Sequence, residues 1–183
     1  MHRILFVAAC ALLAGSASAQ IIRQGGLGAK DFPFHIHVGY GKTGTFQNNL
    51  AQNVHLEGPE IGIDIPLQRP VNGGPVVMLM PSVLLGGQLS SGGDADGNVY
   101  RLQVGVNGPV GAKGFYTRFA VGYSIAQSRG GQFAEEKSFS QRYTLGYGLD
   151  ALGMADKASL EVSYHNGSRN VLKGWTVGAN IRF

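Results

Sequence analysis

The last nine residues, Trp175 to Phe183, alternate without a break between apolar side chains and polar or small ones. Trp175, Val177, Ala179, Ile181 and Phe183 form one phase; Thr176, Gly178, Asn180 and Arg182 form the other. Successive side chains of a strand point to opposite faces, so as a strand this segment has one apolar face and one polar face. A helix would scatter both sets around its axis. Whatever the chain folds into must offer this strand partners on its edges and an apolar medium on one face.

The same period recurs, and it predicts eight strands. The first spans about 33–40, with Phe34, Ile36, Val38 and Tyr40 opposite His35, His37 and Gly39. The second spans about 60–67, with Ile61, Ile63, Ile65 and Leu67 opposite Glu60, Gly62, Asp64 and Pro66. The third, about 75–86, is apolar on both faces through Val76–Met80, so its phase is unreadable, and Pro81 weakens it. The fourth (98–107), fifth (114–125), sixth (139–151) and seventh (157–165) alternate clearly, and the C-terminal strand is the eighth. Most are close to the roughly 9–11 residues that a tilted strand needs to cross a bilayer. The connections 41–59, 87–97 and 127–138 read as long loops, and 68–74, 108–113 and 152–156 as short turns. Long loops at one end and short turns at the other is the pattern of membrane barrels.

A soluble barrel with these strands would keep its apolar face inside. Three features favour the reverse. Gly39, Gly62, Gly105, Gly122, Gly146, Gly148 and Gly178 share a face with the charges, as suits a narrow interior. Aromatics on the apolar face fall near predicted strand ends: Phe34, Tyr40, Tyr100, Phe115, Tyr123, Tyr143, Tyr164, Trp175 and Phe183. The chain also stops on an aromatic. Beyond the N-terminus no apolar run is long enough for a membrane helix, and the alternative way to cross is a closed barrel.

The N-terminus reads as a secretory signal over 1–19: basic Met1-His2-Arg3, an apolar stretch Ile4–Leu13 and a small-residue site at Ala17-Ser18-Ala19. Residues 20–32 are then an extension and 33–183 the barrel domain. Cys10, the only cysteine, would leave with the signal, which removes disulfides and thiolate chemistry. The formal net charge is +4, but Lys and Arg are scattered without a block, which argues against nucleic acid.

With the apolar face outward, Glu60, Asp64, Asp150 and Glu161 share the interior with Arg101, Arg118, Arg142 and Arg182. Buried charges left alone are costly, so pairing into a plug of ion pairs is expected. His35 and His37 lie roughly 7 Å apart on the same interior face and read as members of that network rather than metal ligands. Asp94-Ala95-Asp96-Gly97-Asn98 lacks the Gly and Glu of a calcium loop and reads as a turn. Glu135-Glu136-Lys137 reads as a solvated charge cluster.

The C-terminal strand closely resembles the last strand of bacterial outer-membrane β-barrels, in which the assembly machinery reads a terminal Phe. With the signal and the hairpin rhythm, the chain resembles the small eight-stranded barrels of the OmpA, OmpX and OmpW type over roughly 33–183. The resemblance implies an all-β, antiparallel, up-and-down transmembrane barrel in the outer membrane. It implies outer-membrane lipid and the barrel assembly machinery as partners, an extracellular partner at the loops, a monomer, no cofactor and no enzymatic activity. Trp175, Val177, Ala179, Ile181 and Phe183 would then be the assembly signal. A narrow channel for small or apolar solutes is the first alternative. The second is a lipid A-modifying enzyme, because His165-Asn166-Gly167-Ser168 is similar to the His-x-Ser-Asn motif of lipid A deacylases. Here the serine stands three residues on rather than two, and the His faces the predicted interior.

Overall fold

The computed structural model describes residues 34–67, 76–87, 95–109, 114–149 and 158–182. The predicted signal and extension, Phe183 and Asp150 lie outside them, as does the side chain of Arg182. Eight strands close into one antiparallel barrel: β1 (His35–Thr43), β4 (Glu57–Pro66), β5 (Val76–Gly86), β6 (Gly97–Pro109), β7 (Phe115–Ser128), β8 (Glu136–Gly148), β9 (Ala158–Gly167) and β10 (Gly174–Arg182). Each strand pairs with its neighbours in sequence, and β10 closes the ring against β1, with Gly39 opposite Gly178. A small ribbon, β2 (Phe46–Gln47) with β3 (Asn53–Val54), sits in the first loop, and a 3₁₀ turn (Asn170–Leu172) in the last.

All eight predicted strands are present. The first loop is shorter than expected, because β1 runs on to Thr43 and β4 starts at Glu57. The third shrinks likewise, because β7 reaches Ser128 and β8 begins at Glu136. At the other end β8 stops at Gly148, short of its expected end at Ala151, and Leu149 closes its ladder by donating to the carbonyl of Ala158.

The phase is as predicted. Val38, Tyr40, Ile61, Leu102, Val104, Leu145, Val162 and Val177 are exposed on the outer wall, while Glu60, Arg101, Arg118, Arg142 and Glu161 are buried inside. This is the polarity of a barrel that crosses a bilayer. Cross-strand aromatic pairs stud the wall at both ends, Phe115–Tyr147 at the turn end and Tyr164–Trp175 at the loop end. Tyr143 is a correction: it stacks on Phe119 in the middle of β7–β8, not near a strand end. The unreadable third segment is now phased. Met78, Met80 and Leu84 are buried in the interior, and Pro81 lies within the strand opposite Leu102.

Gly146 shows why small residues accompany the charges. It stands opposite Tyr116, whose ring lies across it; a Cβ there would fall 2.1 Å from the ring carbon that bears the hydroxyl. The bare backbone is the seat that lets Tyr116 reach across to β9. Gly146→Val should unseat the ring and cost about 1–3 kcal/mol, the usual penalty of overpacking. A lower temperature for loss of the folded band on a semi-native gel would register this, whereas Ser124→Ala should move it less.

Candidate functional site

Two layers fill the barrel. The inner layer is polar. Asp64 on β4 accepts from Arg118 Nη1 on β7 at 2.8 Å and from Asn180 Nδ2 on β10 at 2.6 Å. Glu161 on β9 receives Arg118 Nη2 at 3.1 Å, His37 Nδ1 at 3.2 Å and Arg142 Nη2 at 3.7 Å. The Tyr116 hydroxyl donates at 2.5 Å to Glu161 Oε1, the oxygen that Arg118 also meets. Nearer the loops, Glu60 on β4 pairs with Arg101 Nη1 at 3.1 Å. It also accepts from Thr176 Oγ1 at 2.5 Å and Ser82 Oγ at 3.0 Å, with His165 Nε2 3.7 Å away. Arg142 Nε and Nη2 both donate to Ser163 Oγ, at 3.1 and 3.0 Å.

Each buried carboxylate thus meets an arginine and at least one neutral donor. That combination keeps a buried charge tolerable, since attraction alone seldom offsets desolvation. Five strands contribute the charged groups of this layer besides the histidines of β1 and β9, so the network ties opposite walls together. His35 stands at the turn end of β1, in register with Asp64 and Arg182. His37 is directed to Glu161. Among the described residues no cluster of His, Cys, Asp and Glu has the geometry of a metal site.

The outer layer is apolar and was not legible in the sequence. Val54 and Leu56 from the first loop, Leu84, Val99 and Ala126 from the wall, Phe133 from the third loop and Val171–Leu172 from the last are buried in one cluster. Loop hydrophobics with no strand period give no directional signal, so only their convergence reveals them. The alternation also hid Val99, which points inward one residue before the outward series begins. A second apolar patch, Met78, Met80 and Ala120, lines one wall beside the charges.

The motif that resembles a deacylase does not assemble. His165 is buried and faces Glu60 and Thr176, while Ser168 is exposed on the last loop. Ser163, the other nearby hydroxyl, is held by Arg142 and Thr144. The acidic cluster of the third loop is split: Glu136 pairs with Arg169 at 3.3 Å, and Glu135 with Lys137 at 2.7 Å. Hydrogen bonds from Lys137 and Gln127 hold the exposed Glu135 carboxyl below its ordinary range. Asp96, from the aspartate-rich turn, lies 3.6 Å from Arg129, and Asp94 falls outside the described residues. Between the first, third and last loops lies an open cavity of about 420 Å³.

No protein-family model matches the chain, and no curated protein matches its sequence. Solved structures do match in shape. The attachment invasion locus protein Ail of Yersinia pestis, in complex with the heparin analogue sucrose octasulfate, is 16% identical with a TM-score of 0.52. That match covers 84% of this chain and 99% of Ail. Ail in a phospholipid bilayer nanodisc is 15% identical, with a TM-score of 0.50 over 82% of this chain and 99% of that one. Neisserial surface protein A is 12% identical, with a TM-score of 0.49 over 85% and 98%. The chain has the fold of the small eight-stranded outer-membrane β-barrels.

Proposed function

We propose that this protein is a non-enzymatic barrel of the bacterial outer membrane, with a plugged lumen and loops that contact an external partner. The observation that carries the reading is the double filling of the barrel. Ion pairs across the inner layer and the apolar cluster beneath the loops leave the outer wall and the loops as the surfaces available for interaction. The likeness to Ail, whose name records attachment and invasion and whose structure holds a heparin analogue, supports a role in surface contact. In this reading the first 19 residues are a cleaved signal and residues 20–32 a periplasmic extension. Trp175, Val177, Ala179, Ile181 and Phe183 are read by the assembly machinery, and the barrel stays monomeric.

The reading predicts that the purified protein in a planar bilayer shows no discrete conductance steps. Large, regular steps would replace the plug with a channel, and the Met78–Met80–Ala120 wall would then be the surface to examine for apolar solutes. Removing one buried partner should be severe. Glu60→Ala strands Arg101 and should cost about 3–5 kcal/mol in an unfolding titration in lipid vesicles. The double variant Glu60→Ala/Arg101→Ala should recover part of that loss. At the other end of the chain, Phe183→Ala should lower the fraction that reaches the outer membrane in a folded, heat-shifting form. An unchanged fraction would dismiss the terminal aromatic as an assembly signal.

A further inference from the structure

The cavity among the loops takes no part in the lumen network and has its own chemistry. Phe46 from β2 forms apolar lining, backed by Phe133 from the third loop at 5.0 Å between ring centres and 74° between planes. Gln47, Asn49 and Asn170 bring exposed carboxamides to the same space. Each amide offers both a donor and an acceptor. Asn49 is fixed in place because its Nδ2 donates to the Gly131 carbonyl at 2.6 Å. The charged groups of the lining are Glu136 and Arg169, and they neutralise each other at 3.3 Å.

These loops are tied to one another. Gly44 donates to the Lys173 carbonyl at 2.8 Å, and Asn49 N–H to the Gln132 carbonyl at 2.7 Å. Val171 and Leu172, which follow Asn170, are anchored in the apolar cluster. Gly44 permits the approach: a Cβ there would stand 2.9 Å from the Asn170 carbonyl oxygen. A site whose walls are already ordered loses little entropy when it binds. Its volume falls within the roughly 300–1,000 Å³ of small-molecule pockets.

The matching ligand has an apolar C–H face for the aromatic lining, many hydroxyls for the amides and no net charge. We propose that this cavity binds a neutral saccharide of one or two rings. A polysulfated or polyphosphorylated ligand would need an excess of cations, and the lining's one arginine is already paired with Glu136. The proposal rests on the reading that the loop end faces outward. A host-surface glycan and the bacterium's own lipopolysaccharide core both offer such a sugar, and the probes below distinguish the two sources.

Saturation-transfer NMR and titration on the full-length protein, refolded in detergent and shown to be heat-shifting, would test it. The probes are N,N′-diacetylchitobiose, an unphosphorylated heptose disaccharide of the lipopolysaccharide core that lacks acidic sugars, and sucrose octasulfate. We expect one of the two neutral probes to bind, and the tighter of them to name the source. Gln47→Ala and Asn170→Ala should each weaken binding about three- to tenfold, as loss of one or two hydrogen bonds implies. Lys42→Ala, on the barrel wall, should leave binding unchanged. Absence of binding by both neutral probes, or equal binding by the cavity variants, would overturn the proposal. So would binding of sucrose octasulfate alone, which would point to a polyanion site elsewhere. Labelling Gln47→Cys on intact cells with a membrane-impermeant maleimide separates the two readings. Failure to label would overturn the outward orientation, whereas labelling without saccharide binding would overturn only the cavity's ligand.

Discussion

A bilayer offers no partner for a backbone amide or carbonyl, so every strand that crosses it must be paired on both edges. Closure of β10 onto β1 meets that demand, and most other features of the molecule follow from it. Eight strands enclose a space just wide enough for side chains. The outer face must be apolar over its whole girth, which sends each charged residue of these strands either to the ends or inside. Once inside, a carboxylate has to find a cation and neutral donors within the same narrow cross-section.

The polar layer meets this requirement by spreading partners over the circumference. Arg118 bridges Asp64 on one side and Glu161 on the other, and Glu161 in turn holds His37, Arg142 and Tyr116. Such a network fixes the barrel's cross-section as well as its charge balance, since moving one strand would break pairs to several others. The apolar cluster above it does a different job. It uses residues from all four loops, Ala95 of the second included, to cover the network, and in doing so it orders the loops themselves. The ordered loops then frame the cavity, so the proposed recognition surface is a consequence of how the barrel's mouth is filled.

The comparison with Ail extends this picture at the level of fold alone. A barrel wall tolerates wide sequence change as long as outward positions stay apolar and inward positions stay small or paired, so two chains can share the barrel at 16% identity. Loops carry no such periodic constraint. The neutral character of the cavity lining here is a property of this chain's own residues, and Ail's complex with a sulfated sugar does not bear on it.

The sequence by itself determined the strands, their phase and the barrel class, because a period of two is written into successive residues and needs no knowledge of distant contacts. It placed Glu60, Asp64, Arg101, Arg118, Arg142 and Glu161 inside for the same reason, and marked His37 as an interior residue. It was silent where the period fails. Val76–Met80 is apolar on both faces, and only the register with β4 and β6 turns Met78 and Met80 inward. Which carboxylate meets which arginine was equally hidden, because it depends on stagger between strands far apart in the chain. The tertiary structure alone decided the apolar cluster, the burial of His165 away from Ser168, and the cavity between the loops. Each of these is set by where separate segments meet in space, and a local pattern carries no record of that meeting.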